Sequence, residues 1–213
     1  YSVWEPSITR ITSNVDSGFQ EIYINGGLLA SDATGANLTS LDSTIIGGIN
    51  NFYNGYFSEL LIYETSFSSF QINNIDTYLA IKYGITLTHD YFSTDTNLIY
   101  DISNGYGNGI FGVGLDILTS LDQTKSKSQN LGEAVSFELT NFIADKQFLI
   151  SGHDGGGFTR ITLNGDANVI TQKWLAKMTG NVGTVDVELD LANISANTGA
   201  APSTVKIVVS DSP

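Results

Sequence analysis

Short apolar runs separated by Gly, Asn and Ser set the rhythm of this sequence. Residues Glu21–Ile24 and Leu28–Ala30 flank Asn25, Gly26 and Gly27. An Asn-Gly pair between apolar runs is a strong hairpin signal, because both central residues reach positive φ. A further run, Thr44–Ile46, stops at Gly47 and Gly48. In Phe57–Tyr63, Phe57, Leu61 and Tyr63 share one side and Leu60 and Ile62 lie between them. This reads as an inner sandwich strand covered on both faces. The period then changes. Ile72, Ile75, Leu79 and Tyr83 recur at helical spacing and predict one amphipathic helix over 69–83. Ser68 or Ser69 can cap its start, and Gly84 stands where a C′ glycine ends a helix. Asn73, Asn74, Asp76 and Lys82 fall on the side expected to face solvent.

Strand patterning returns after Thr88. Leu98–Tyr100 precedes a turn-rich stretch over Ser103–Gly109, and Ile110–Gly114 is a short apolar strand holding two glycines. Ala134–Leu139 and Thr184–Leu191 alternate with period two. Phe148–Ile150 leads into the loop Gly152–Gly157, and Thr204–Val209 reads as a last strand. Strands spaced this regularly predict a β-sandwich. The expected fold is therefore all-β: a partial jelly-roll sandwich with one helix over residues 1–87, then a second β-sandwich module over 88–213. No internal repeat links the two segments. Tyr1 is not a start methionine and Ser210–Pro213 reads as a linker, so the chain is expected to be an excerpt of a longer protein.

Composition narrows the function classes. Charged residues make up 15% of the 213, with 22 acids against 9 bases and a net charge of -13, while hydrophobic residues reach 41%. That apolar content supports a core and argues against disorder. So acidic a surface repels phosphate backbones, which excludes nucleic acid as a partner, and no apolar run is long enough for a membrane span. With 22 glycines and one Met, the profile fits an extracellular all-β protein. The absence of cysteine rules out a disulfide framework and a cysteine nucleophile.

Three stretches carry a resemblance: Tyr23–Ala30, Ile46–Gly48 and Asn54–Tyr63 resemble the C-terminal half of a laminin-G-like, concanavalin-type jelly roll. Ile75–Leu87 is similar to a helix-and-exit segment that follows such jelly rolls in very large surface proteins of Bacteroidota. Ile110–Asp116, Leu121–Ser128, Gly152–Gly156 and Lys173-Trp174 resemble an uncharacterised β-rich module found in the same proteins. The resemblance implies a secreted, cell-surface protein exported by the type 9 route, often an adhesin and in some cases serving gliding motility. Its expected partners are cell-surface glycans or polysaccharides, neighbouring modules, and the secretion or motility machinery. Jelly-roll members often hold calcium at one rim, and acids at strand ends suit that hard cation.

Candidate chemistry is sparse. Asp186, Glu188 and Asp190 alternate and would share one face of a strand. Retaining glycosidases also need paired carboxylates about 5 Å apart. Here the order differs, and Val185, Val187, Leu189 and Leu191 are expected to take the core side, which leaves the acids in solvent. His153 and Asp154, in the glycine loop, could hold a metal or a sugar hydroxyl, or else form an ordinary turn. Tyr53, Tyr56 and Tyr106 lie in Asn/Gly-rich loops and are candidates for stacking on sugar, whereas Trp174 is expected in the core. Lys125 and Lys127 form a locally basic spot, and no Gly-x-Ser-x-Gly elbow is present. The expected function is a non-catalytic structural and adhesive segment of a large adhesin. The alternatives are a carbohydrate-binding module of a secreted polysaccharide-degrading enzyme, or the enzyme itself.

Overall fold

The computed structural model describes residues 5–14, 19–33, 55–141, 143–158, 160–163, 167–198 and 209–210. Three strands come first: β1 (Thr9–Asn14), β2 (Phe19–Ile24) and β3 (Gly27–Asp32). The helix α1 (Ser69–Tyr83) follows. Next are β4 (Tyr91–Phe92), β5 (Leu98–Tyr100), β6 (Asn108–Asp116), β7 (Leu121–Gln123), β8 (Lys125–Lys127), β9 (Val135–Leu139) and β10 (Gln147–His153). The last described elements are β11 (Arg160–Leu163), β12 (Ala167–Ile170), β13 (Trp174–Thr179), β14 (Val185–Leu189) and a short helix, α2 (Leu191–Thr198). The fold is predominantly β with one main helix.

A four-stranded antiparallel sheet, β13-β10-β6-β7, forms the middle layer. Successive side chains of a strand point to opposite faces, so a strand buried on both sides must carry apolar groups at every position. β6 does this. Ile110 joins Phe148, Ile150 and Leu121 in a cluster with Ala80 and Ile81 of α1. Phe111 and Val113 point the other way, onto Val135 and Phe137 of the β14-β9-β8 sheet. Helix, sheet and sheet thus stack in three layers. Gly112 and Gly114 complete the helix side of β6: a Cβ at Gly114 would lie 2.3 Å from the Phe148 ring, and one at Gly112 2.9 Å from Ile150. These glycines make room for the large side chains of β10.

The helix has the expected bounds, and its caps explain them. Ser68 Oγ accepts from the Gln71 N–H while Gln71 Oε1 accepts from the Ser68 N–H, a reciprocal capping box. Gly84 ends it at φ 63°, where a Cβ would meet the Lys127 carbonyl oxygen at 2.1 Å. Its buried face corrects the expectation. Asp76 and Thr77 are buried beside Ala80 and Ile81, and Asp76 is 1% exposed instead of facing solvent. The reason is tertiary: Arg10 and His89 converge on its carboxylate. Because α1 and the strands after it share one cluster with Ile85, Leu87 and Tyr91, position 87/88 falls inside a continuous core.

Two further expectations change. Phe57–Tyr63 enters no described sheet, and Phe57, Leu60, Ile62 and Tyr63 are each about half exposed or more. Among the described residues no strand pairs with it, so the apolar pattern there is not matched by covered faces. The run expected as strand to Leu191 stops at Leu189, and Val187 and Leu191 are 49% and 42% exposed. The chain then turns into α2, because Asp190 Oδ1 accepts from the Asn193 N–H in the manner of an N-cap. The expected strand over 44–46, and all of the one over 204–209 except Val209, lie outside the described residues, and Val209 is exposed and in no strand.

Gly84→Ala should destabilise the protein by about 2–4 kcal/mol, since it adds a backbone clash to the left-handed strain. Gly105→Ala, at φ 89° with no atom within 4 Å of the added methyl, should cost only about 1–2 kcal/mol. Urea denaturation of both variants checks the difference.

Candidate functional site

Two loops meet at one rim of the inter-sheet space. The turn before β6 is shaped by Asp101 and Asn104, whose side chains accept from the Ser103 and Tyr106 backbone N–H groups at 2.8 Å. Asn108 then donates from Nδ2 to the His153 carbonyl (3.2 Å), fastening this turn to the glycine loop after β10. Tyr106, His153 and Asp154 are thereby brought together. Tyr106 is half-buried, and its carbonyl accepts from the Tyr100 hydroxyl at 2.9 Å. Burial pushes the Tyr100 phenol up to about 12. Asp154 is exposed and Oδ1 accepts from the Gly156 and Lys173 N–H groups (2.9 and 3.2 Å), an Asx turn. Tyr56 stands apart on the segment before α1 and is 98% exposed. Tyr53 lies outside the described residues.

His153 is the chemical centre of the rim. It is the last residue of β10, and its ring lies 6.5 Å from that of Trp174, its partner across the ladder. Nε2 is 2.8 Å from Glu133 Oε1, and both side chains are more than nine-tenths buried. Nδ1 accepts from the Gly155 N–H (3.0 Å) and lies 2.8 Å from Gln172 Nε2. A backbone N–H can only donate, so the ring proton sits on Nε2 and is given to Glu133. Gly109, at φ 55°, seals the pair from beneath: a Cβ there would be 2.4 Å from Glu133 Oε1 and 2.5 Å from His153 Nε2. With both nitrogens engaged, the ring has no free edge for a general base to use. Glu133 was not legible as its partner, because one acid before a strand carries no distinctive spacing.

The alternating acids have a different setting. Asp186 and Glu188 lie exposed on the outer face of the β14-β9-β8 sheet, next to Glu138 and Lys125 in register. Lys125 Nζ is 2.6 Å from Glu138 and 3.7 Å from Glu188, and Lys127 Nζ is 3.5 Å from Asp190. The two lysines of the basic spot belong to β8 and pair across strands with Glu138, Glu188 and Asp190. Such exposed pairs contribute little, about 0–1 kcal/mol each.

Two other polar knots are more buried. Asp116, at the end of β6, accepts from the Thr94 N–H (3.0 Å) and hydroxyl and receives Lys146 Nζ. Burial opposes charge on Asp116, but Lys146 and Thr94 outweigh it and hold its carboxyl below the usual range. Glu59 accepts from Tyr78, Lys82 and Tyr83 at 2.9–3.0 Å, and here too the donors outweigh burial and lower the acid. Among the described residues no three His, Cys, Asp or Glu side chains gather as a metal site, so the calcium expectation finds no ligand set there. No described helix is long and apolar enough to cross a membrane.

A helix laid on a doubly buried antiparallel sheet, with a second sheet beneath, defines the class: a layered, predominantly β domain. The chain belongs to the family described as a domain of unknown function (DUF8202), which matches residues 71–213. The match starts within α1, in keeping with the core that this helix shares with the later strands. No curated protein and no solved structure matches the chain.

Because Asp116 and Glu59 are held below their unfolded values, about 3.9 and 4.3, their stabilisation is present above that range. It is lost as pH falls through the folded values. Denaturant midpoints should therefore fall on acidification below about pH 4. Asp116→Asn should cost about 2 kcal/mol at pH 7 and flatten part of this slope. Asp186→Asn should stay within about 0.5 kcal/mol.

Proposed function

We propose that the chain is a non-catalytic structural and adhesive segment of a large secreted bacterial cell-surface protein, of the type 9 secretion and gliding-motility kind that its sequence resembles. One observation carries the non-catalytic part. The buried acids end on structural partners: Asp76 on His89 and Arg10, Asp116 on Lys146 and Thr94, and Glu133 on His153. Hydrolysis of a glycoside needs two carboxyls facing each other across a substrate, one of them held protonated. Asp186 and Glu188 are instead exposed on the outer sheet face, Asp186 across from Glu138 and Glu188 near Lys125. A stiff three-layer body suits presentation of a contact surface.

Tyr56 favours a second reading, that of a carbohydrate-binding module. A ring this exposed, on a segment with Leu60 and Ile62 also in solvent, offers a stacking surface for the apolar face of a sugar. Both readings predict no turnover.

Incubation of the chain with a polysaccharide panel should release no reducing ends, and turnover lost in Glu188→Gln would overturn the proposal. On a glycan array, binding weakened about tenfold by Tyr56→Ala, with stability unchanged, would select the carbohydrate-binding reading. Adhesion of chain-coated beads to cells that survives this substitution would select the adhesive scaffold.

A further inference from the structure

The sequence contains two histidines, and the structure holds them in different hydrogen-bonding states. His153 faces a backbone donor through Nδ1. His89 faces acceptors through both nitrogens: Nδ1 is 2.9 Å from the Asp90 carbonyl oxygen, and Nε2 is 3.3 Å from Asp76 Oδ2. A carbonyl or carboxylate oxygen can only accept, so both contacts are hydrogen bonds only when both nitrogens carry protons. A neutral ring must turn one lone pair onto an oxygen.

His89 stands at the joint between the N-terminal sheet and the family domain. Asp76 approaches it from α1, and Arg10 of β1 reaches the same carboxylate oxygen at 3.9 Å while lying 3.8 Å from the centre of the Tyr23 ring. The Asn25-Gly26 turn rests on the imidazole so closely that a Cβ at Gly26 would lie 2.4 Å from Cδ2. The Asn25 carbonyl accepts from the Thr88 N–H at 2.9 Å, and Asn25 Oδ1 accepts from the Ile8 N–H at 2.8 Å. The Asp90 carboxylate is occupied elsewhere, accepting from the Ile102 N–H. The helix and the Asn25-Gly26 turn thus meet on one ring, with Arg10 of β1 on the same carboxylate.

We propose that this joint is a pH-gated clasp: the His89 imidazolium holds the N-terminal sheet on the family domain, and release of one proton to solvent loosens that sheet while the core stays folded. The electrostatics agree in direction. Burial pulls the His89 pKa down, and Arg10 adds to that, but Asp76 and the Asp90 carbonyl outweigh them and hold it above the usual value. A histidine raised in the folded state stabilises the joint fully below its unfolded value, about 6.5. The contribution disappears as pH rises through the folded value.

The test uses the whole chain. The His89 Cε1–H resonance, followed by NMR, should titrate above about 6.5; titration at or below that value overturns the proposal. Amide exchange, corrected for its intrinsic pH dependence, should show β1–β3 losing protection through the same interval while β6 and β10 keep theirs. The loss should approach tenfold for each unit by which the folded value exceeds the unfolded one. Unchanged protection in β1–β3 overturns the clasp. His89→Gln should remove the step, and a step retained in that variant overturns the assignment to His89. Should the variant not fold, the wild-type titration and exchange decide alone.

Discussion

Burial of β6 on both faces is the constraint on which the other layers depend. Ile110 commits one face of the strand to α1, and Phe111 and Val113 commit the other to the second sheet. Fully burying side chains of this size contributes about 1.5–3 kcal/mol each, whereas the exposed lysine–acid ladder on β8, β9 and β14 contributes about 0–1 kcal/mol per pair. The apolar layers therefore decide the architecture and the surface charges follow it. Gly112 and Gly114 belong to the same constraint. They give up side-chain contacts on β6 so that Phe148 and Ile150 can lie flat against it.

The buried acids have a different task. Asp116 joins the end of β6 to the Thr94 turn and to Lys146. Glu133 joins the entry of β9 to the end of β10, and its carbonyl accepts from Asn193 of α2. Asp76 joins α1 to the N-terminal sheet. Each sits where two layers or loops must meet in one register. Taking charges out of water is costly, and a satisfied pair recovers that cost with little net gain. What such pairs supply here is geometry. A slipped β1 or a displaced β10 would leave a buried carboxylate without its partner, a much larger penalty than the pair's own worth.

Much of this was legible in the residues, for local reasons. Ser68, Gln71 and Gly84 cap α1 through contacts within a few positions, so its ends could be read directly. The period-two run ending at Leu139 and the Asn25-Gly26 turn are equally local, and both took the expected form. The failures are tertiary. Asp76 looks like a solvent-facing residue on a helical wheel, and nothing near it in sequence announces Arg10. Asp190 reads as the end of an acidic alternation, while in the structure it caps α2. The buried partnership of His153 and Glu133 was hidden as well, because it depends on Gly109 allowing the backbone to approach them.

The N-terminal sheet is attached by different physics from the rest. Ile8 is its neighbour in the main core, and among the described residues the joint also holds Glu5, which accepts from the Leu131 N–H, and hydrogen bonds and charges around Asn25, Arg10, Asp76 and His89. Ile11, Leu28 and Leu29 of that sheet stay more than half exposed. Apolar burial scales with area and changes little with pH, so a joint built from it would be permanent. A polar joint draws its strength from a few groups whose charge can change. The net charge of -13 favours a proton at this joint, since each positive group offsets part of the chain's own repulsion. The family domain and the sheet before it thus share a chain and a contact held by different forces: the domain by packing, the joint by Ile8, backbone hydrogen bonds and an ionisable ring together.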